Sequence, residues 1–155
     1  MTGAFAMAPV GWVRGGRVAA EDDAWAAVRA RIELDATRFG PDALLGLDAF
    51  HAEIVFVFDR LPEDQVTTGA RRPRGNADWP LVGIFAQRGR NRPNRIGVST
   101  CRILAVEGTC LEVEGLDAID GTPVLDIKPV LSGFPPRGAI REPDWARAIM
   151  ERYWS

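Results

Sequence analysis

One histidine, two cysteines and one lysine in 155 residues leave whole classes of chemistry without their usual side chains. His51 cannot complete a zinc site with Cys101 and Cys110, which show neither CxxC nor Cys/His ligand spacing, so no metal is expected. The two cysteines fit buried thiols in a reducing compartment better than a disulfide framework. There is no GxSxG elbow, no Walker loop and no GxGxxG after a strand, which speaks against a hydrolase elbow, a P-loop and a Rossmann cofactor site. No apolar run approaches the roughly 20 residues that span a bilayer. The opening MTGAFAMAPV lacks the basic flank of a secretory leader, and a cytoplasmic protein is expected. Internal repeats, low-complexity tracts and linkers are absent as well.

What is present is a core-forming composition with one biased stretch. The hydrophobic fraction of 46% suffices for a real core, and one domain spanning residues 1–155 is expected. Residues 69–102, GARRPRGNADWPLVGIFAQRGRNRPNRIGVSTCR, hold eight arginines against Asp78 alone, while the whole chain stands at −2. Prolines and glycines in both arginine clusters rule out helix there. The apolar run at 80–86 between them reads as a buried strand flanked by two guanidinium-rich loops. Guanidinium forks grip phosphate and carboxylate oxygens, and the neighbouring Trp79 and Phe85 offer stacking, so the bare signal favours nucleotide or nucleic-acid binding over a solvated face.

Elsewhere, short strands dominate. Residues 7–14 alternate and end at Gly15 and Gly16, 31–35 alternate, 51–58 (HAEIVFVF) read as a central strand, 97–106 and 111–115 form a hairpin about Glu107 and Gly108, and 124–129 add another strand. Strands with few helices between them predict a largely antiparallel sheet curled into a small, mainly β barrel. Two further segments carry helix signals. Glu21, Asp22 and Asp23 ahead of Trp25 suit either a helix N-terminus running into AWAAVRA or a ligand-facing acidic loop. Residues 141–154 read as a C-terminal helical tail, with Trp145, Ile149 and Tyr153 or Trp154 at helical spacing. The loop LDAIDGTP, residues 116–123, places Asp117 and Asp120 three apart ahead of a glycine and a proline. That spacing suits a tight turn whose aspartates bond their own backbone, or a turn offering carboxylates to a ribose or an amine.

Taken together, RRPRGNADWPLVGIFAQRGRNRPNRIGVS and LDAIDGTPVLDIKP resemble the signature segments of the TrmO/YaeB (TsaA-like) family. The resemblance runs from about residue 9 to residue 129. It implies a small β-barrel methyltransferase acting as a homodimer, with S-adenosyl-L-methionine as cofactor. The reaction implied is methylation of the exocyclic N6 of a modified adenosine, threonylcarbamoyladenosine, next to the tRNA anticodon. Carried over by position, cofactor contacts fall on Asp59 and Arg60, on Arg88, on Val98, and on Asp117, Ala118, Ile119 and Asp120. Arg88 would pair with the methionyl carboxylate, and an aspartate of the LDAID turn would accept from the amino group or the ribose hydroxyls. Substrate contacts are expected from Asp22, Asp23 and Trp25 and from Arg71, Arg72, Arg74, Arg92, Asn94 and Arg95.

The chain departs from the family pattern at four places. EDDAW stands where a Pro-Arg-Gln-type segment touches the cofactor, Asp59-Arg60 replaces the usual His-Gln, and Arg95 replaces a proline in RPNRIG. The additional C-terminal domain of long bacterial members is expected to be missing, with the Trp-rich REPDWARAIMERYW in its place. These departures bear on the acceptor and keep two alternatives open, a methyltransferase of a small molecule and a non-catalytic S-adenosylmethionine- or RNA-binding barrel.

Overall fold

The computed structural model describes residues 3–155. Its elements are β1 (Gly11–Arg14), β2 (Arg29–Leu34), β3 (Ala52–Val57), β4 (Ala70–Arg71), β5 (Val82–Gly83), β6 (Ile96–Glu107), β7 (Cys110–Glu114), β8 (Pro123–Pro129) and one α-helix, α1 (Asp144–Met150). Six strands close an antiparallel barrel in the order β1-β2-β7-β6-β3-β8, and β4 pairs with β5 as a separate ribbon. The mainly β barrel with a short C-terminal helix expected from the sequence is the observed fold.

Period-two alternation sets the register. On β3, Ala52, Ile54 and Phe56 point inward and are buried. Their partners on β6 are Cys101, Ser99 and Gly97, all buried, so interior faces interior across the pair. The large side chains of β3 meet small ones on β6, which keeps the barrel centre filled without overpacking. A Cβ on Gly97 would lie 2.5 Å from Cζ of Phe56, whose ring packs edge-on against Phe58 with centroids 5.1 Å apart. Val13, Ile32, Leu111, Val113, Leu116 and Val124 complete the core, each fully buried. Burial of each large apolar side chain contributes roughly 1.5–3 kcal/mol.

The outer wall carries cross-strand charge pairs. Arg29 and Arg102 flank Glu114 at 3.0 and 4.0 Å, and Arg14 pairs with Glu33 at 3.5 Å. The arginines of these pairs are exposed, so each pair contributes about 0–1 kcal/mol. Arg102 thus belongs to the barrel wall and not to the arginine-rich loops.

Two expectations from the sequence are corrected, and one of the two readings left open at residues 21–25 drops out. Residues 80–86 do not form a buried strand: β5 is two residues long, a 3₁₀ turn follows at Ile84–Ala86, and Leu81 and Phe85 are exposed. Only Ile84 is buried from that run, because the ribbon stands outside the barrel and has one partner strand. No helix starts at residue 21. Ala24 adopts φ +63°, outside the helical region, and the amides of Ala24, Trp25 and Ala26 donate to the carbonyls of Arg152, Tyr153 and Trp154 at 3.0, 2.9 and 3.2 Å. The tail therefore takes the donors a helix would have used. In that tail, α1 is shorter than the 141–154 span, beginning after Pro143 and ending at Met150, where the chain turns to run beside residues 24–26.

Candidate functional site

Four sequence-distant segments meet at one end of the barrel, and side-chain bonds to backbone tie them together. Arg60, just after β3, donates from Nη2 to the Asp120 carbonyl at 2.8 Å. Asp120 turns its Oδ1 to the Gly15 amide at 2.8 Å, and its own amide donates to the Arg17 carbonyl. Gly121 follows at φ +83°, and a Cβ there would lie 2.5 Å from Nη2 of Arg60. Thr122 closes the turn on itself, its hydroxyl donating to the Ile119 carbonyl at 2.7 Å. The β7–β8 loop is therefore both a tight turn and a platform crossed by a guanidinium. Ala118 within it is buried, while Asp59, the residue before Arg60, is exposed.

Arg88 is exposed and donates from Nη2 to the Val98 carbonyl at 2.9 Å, joining the second arginine loop to the start of β6. One residue along β6, the Ser99 hydroxyl donates to Oδ1 of Asp117. The other carboxylate oxygen accepts from the hydroxyl of Tyr153 on the tail. Burial pushes the Asp117 carboxyl above its ordinary value, against the downward pull of the Tyr153 hydrogen bond, a backbone hydrogen bond and the Arg88 charge. Beneath Asp117, burial and that same carboxylate push the Cys101 thiol up to about 12. Burial also raises the Cys110 thiol. Neither cysteine is set up as a thiolate nucleophile at neutral pH.

The positions expected to meet an acceptor are arranged in two groups. In the first, Arg74 pairs with Asp23 at 2.9 Å and bonds the Asp22 carbonyl at 3.2 Å, joining the acidic loop to the first arginine cluster. Trp25 is 3% exposed, its indole N–H donates to the Glu21 carbonyl, and the Arg17 guanidinium lies 4.4 Å over its ring. Its ring is a buried prop under the acidic loop. In the second group, Arg92 bonds the Gln87 carbonyl and Arg95 the Leu61 carbonyl, both at 2.8 Å, with Arg95 at φ +53°. Arg72 bonds the Trp79 carbonyl. Arg71 and Arg90 have no side-chain hydrogen bond or ion pair among the described residues, and Asn94, between Arg92 and Arg95, is exposed. Most of the guanidinium groups thus satisfy loop carbonyls that no strand ladder reaches.

Ser99, Tyr153 and Arg17 were not singled out by sequence reasoning. Ser99 is hidden in the alternation of a strand, and Tyr153 lies 36 residues from the carboxylate it meets. Arg17 follows an unremarkable glycine turn. Two apolar clefts of about 180 and 350 Å³ share no residue with this end of the barrel, and are lined by residues such as Phe39, Leu44, Leu47, Phe50 and Ile127. Among the described residues no group of three or more His, Cys, Asp or Glu is placed to hold a metal, and no helix is long and apolar enough to cross a membrane.

Residues 19–134 match the model of the tRNA-methyltransferase O N-terminal domain. The tRNA (adenine(37)-N6)-methyltransferase of Escherichia coli (strain K12) is 43% identical over 97 residues, covering 58% of this chain and 40% of that protein. A putative S-adenosylmethionine-dependent methyltransferase, RcsF, of Pseudomonas aeruginosa is 40% identical over 104 residues, 66% of this chain and 45% of its own. The crystal structure of TrmO from P. aeruginosa superposes with a TM-score of 0.74 at 27% identity, over 94% of this chain and 63% of that one. The chain spans less than half the length of these two curated relatives.

Proposed function

The chain belongs to the tRNA-methyltransferase O N-terminal domain family, and from that premise we propose that it is an S-adenosylmethionine-dependent methyltransferase of the adenosine N6 beside the tRNA anticodon, acting on threonylcarbamoyladenosine. One observation carries the cofactor reading. The segments assigned to S-adenosylmethionine, around Arg60, from Arg88 to Val98, and at 117–120, are separate in sequence yet joined by side-chain hydrogen bonds at one barrel end.

The donor set suits the cofactor's chemistry. A guanidinium at Arg88 and carboxylates at Asp117 and Asp120 match a zwitterionic amino acid joined to a ribose. When bound, S-adenosylmethionine supplies an electrophilic methyl group on a sulfonium. Arg88 would then pair with the methionyl carboxylate, Asp117 would accept from the amino group or ribose hydroxyls, and the backbone of the β7–β8 loop would hold the adenine. With no activated thiol at this end, the residues act by orienting donor and acceptor and excluding water. Mass spectrometry of tRNA nucleosides from a deletion strain tests the reaction. Loss of N6-methylated threonylcarbamoyladenosine is expected, and an unchanged level would sink it.

A second reading, a small-molecule acceptor, is favoured by one observation: the arginines that suggested RNA are largely engaged by loop carbonyls and by Asp23. Activity that does not weaken with salt, in a chain without tRNA affinity, would select it, since phosphate contacts weaken steeply with salt. We further propose that the chain works as one barrel unit with its 141–154 tail, as a homodimer in the cytoplasm. Support for the dimer comes from Leu45 and Phe50, which are exposed in the apolar cleft by β8. A monomeric mass by light scattering would remove that part.

A further inference from the structure

The chain has a single tyrosine, and the cofactor reading gives it no part although it sits inside the cluster that reading assigns. The segment that carries Tyr153 is built into the fold. Three backbone bonds tie it to residues 24–26, the Tyr153 amide donates to the Met150 carbonyl at 3.2 Å, and its ring packs edge-on against Trp154 with centroids 4.9 Å apart. Its hydroxyl engages Oδ2 of Asp117 while Ser99 engages Oδ1. A carboxylate in water rotates about a broad terminal torsion, and bonds to both oxygens from two separate elements remove that freedom. Each oxygen keeps further lone-pair capacity for a ligand donor.

We infer that Tyr153 is a positioning residue for cofactor binding: its hydroxyl, opposite that of Ser99, fixes the orientation of the Asp117 carboxylate, so that the ammonium or ribose hydroxyls of S-adenosylmethionine meet a preset acceptor. The inference rests on the cofactor reading given above. The groups facing Asp117 are Ser99 and Cys101 from β6, Tyr153 from the tail and Arg88 from the preceding loop, with Arg74 facing Tyr153 from the first arginine cluster. Burial raises the Asp117 carboxyl, and the Tyr153 hydrogen bond is the foremost influence opposing it. Tyr153 itself is pushed well above the usual phenol range, first by burial and then by Asp117, so it remains a donor throughout the working pH range. Removing the hydroxyl therefore raises the pH at which Asp117 takes up a proton.

Two measurements on the full chain test this: carboxyl-carbon NMR titration of Asp117, and calorimetric affinity for S-adenosylmethionine across pH. Tyr153→Phe is expected to keep its melting temperature within about 2 °C, to move the Asp117 midpoint upward, and to weaken the cofactor about tenfold at neutral pH. The acid limb of binding should shift upward with the midpoint. In an Asp117→Asn background the same substitution should change affinity less than about twofold, because the partner it positions is gone. Ser99→Ala, at the other oxygen, gives an independent variant with the same expected direction should Tyr153→Phe fail to fold. An unmoved Asp117 midpoint overturns the inference. So does unchanged or tighter binding by the variant when the wild type binds, the tighter result marking the tail as an occupant of the ligand's place. Failure of the wild type to bind removes the cofactor reading itself, and the inference with it.

Discussion

Arg60 lies across Gly121, with its Nη2 bonded to the Asp120 carbonyl at 2.8 Å and occupying the space a Cβ at position 121 would need. Gly121→Ala meets two penalties. A non-glycine residue at φ +83° costs roughly 1–2 kcal/mol, and the new methyl displaces the guanidinium from the turn. We expect a melting temperature lower by about 5 °C and a weaker affinity for S-adenosylmethionine. Thermal denaturation and calorimetry measure the two. Arg60→Ala should reproduce the affinity loss with little of the stability loss, since it leaves the backbone unstrained.

Gly97→Ala should be costly in a different way. The new methyl would press on the Phe56 ring, which is itself locked against Phe58, so overpacking of about 1–3 kcal/mol is expected in urea denaturation. Phe56→Leu should cost stability in wild type and regain part of it in the Gly97→Ala background. Additive losses would show that the two sites do not share that space.

The Cys101 thiol links stability to alkaline pH. A thiol held at about 12 in the fold and near 9.0 when exposed stays protonated in the native state while the unfolded chain ionises. The native state therefore binds more protons across that window, and stability falls as pH rises from 9 towards 12, by at most about 1.4 kcal/mol per unit. Cys101→Ala should flatten this part of the curve relative to wild type. Parallel curves from pH 8 to 11 would contradict the assignment.

The arginines should separate by function. Arg74→Ala and Asp23→Ala should each cost about 0.5 kcal/mol, with the double variant no worse than Arg74→Ala alone, because that substitution already removes the partly exposed pair together with the bond to the Asp22 carbonyl. Arg90→Ala, by contrast, should leave stability unchanged. If tRNA is the substrate, it should lower tRNA affinity and reduce the salt slope by about 1, measured by filter binding at several ionic strengths.

The barrel was legible because its strands alternate, and alternation in HAEIVFVF or GVSTCRILAV has one interior solution. The run at 80–86 misled because six apolar residues look alike whether they enter a core or decorate a ribbon, and only the pairing decides. Charge misled in a related manner. The sequence displays eighteen arginines, but not that irregular loops leave carbonyls without ladder partners and that Arg72, Arg92 and Arg95 would satisfy them. The Tyr153–Asp117 contact had no local signature, since it depends on the path of the tail after α1. The segments around Arg60, Arg88 and 117–120 were found through the string resemblance. No spacing rule would have joined them.

The barrel closes where β1 meets β8 through only two residue pairs, Gly11 with Val124 and Trp12 with Pro123, against six between β3 and β6. The seam is extended by the amides of Val13 and Gly121, which exchange bonds with Thr122 and Val13 at 2.9 and 2.7 Å, and by Asp120 on Gly15. The loop that would receive the ligand is thus also the fastening of the cylinder. Occupancy and closure would then be one equilibrium: opening the seam would dismantle that loop, and a ligand bound there would resist the opening in proportion to its saturation. Amide hydrogens of β1 should report that equilibrium directly: they are expected to exchange with solvent sooner than those of β3 and to slow as S-adenosylmethionine is added, by hydrogen exchange read with and without it.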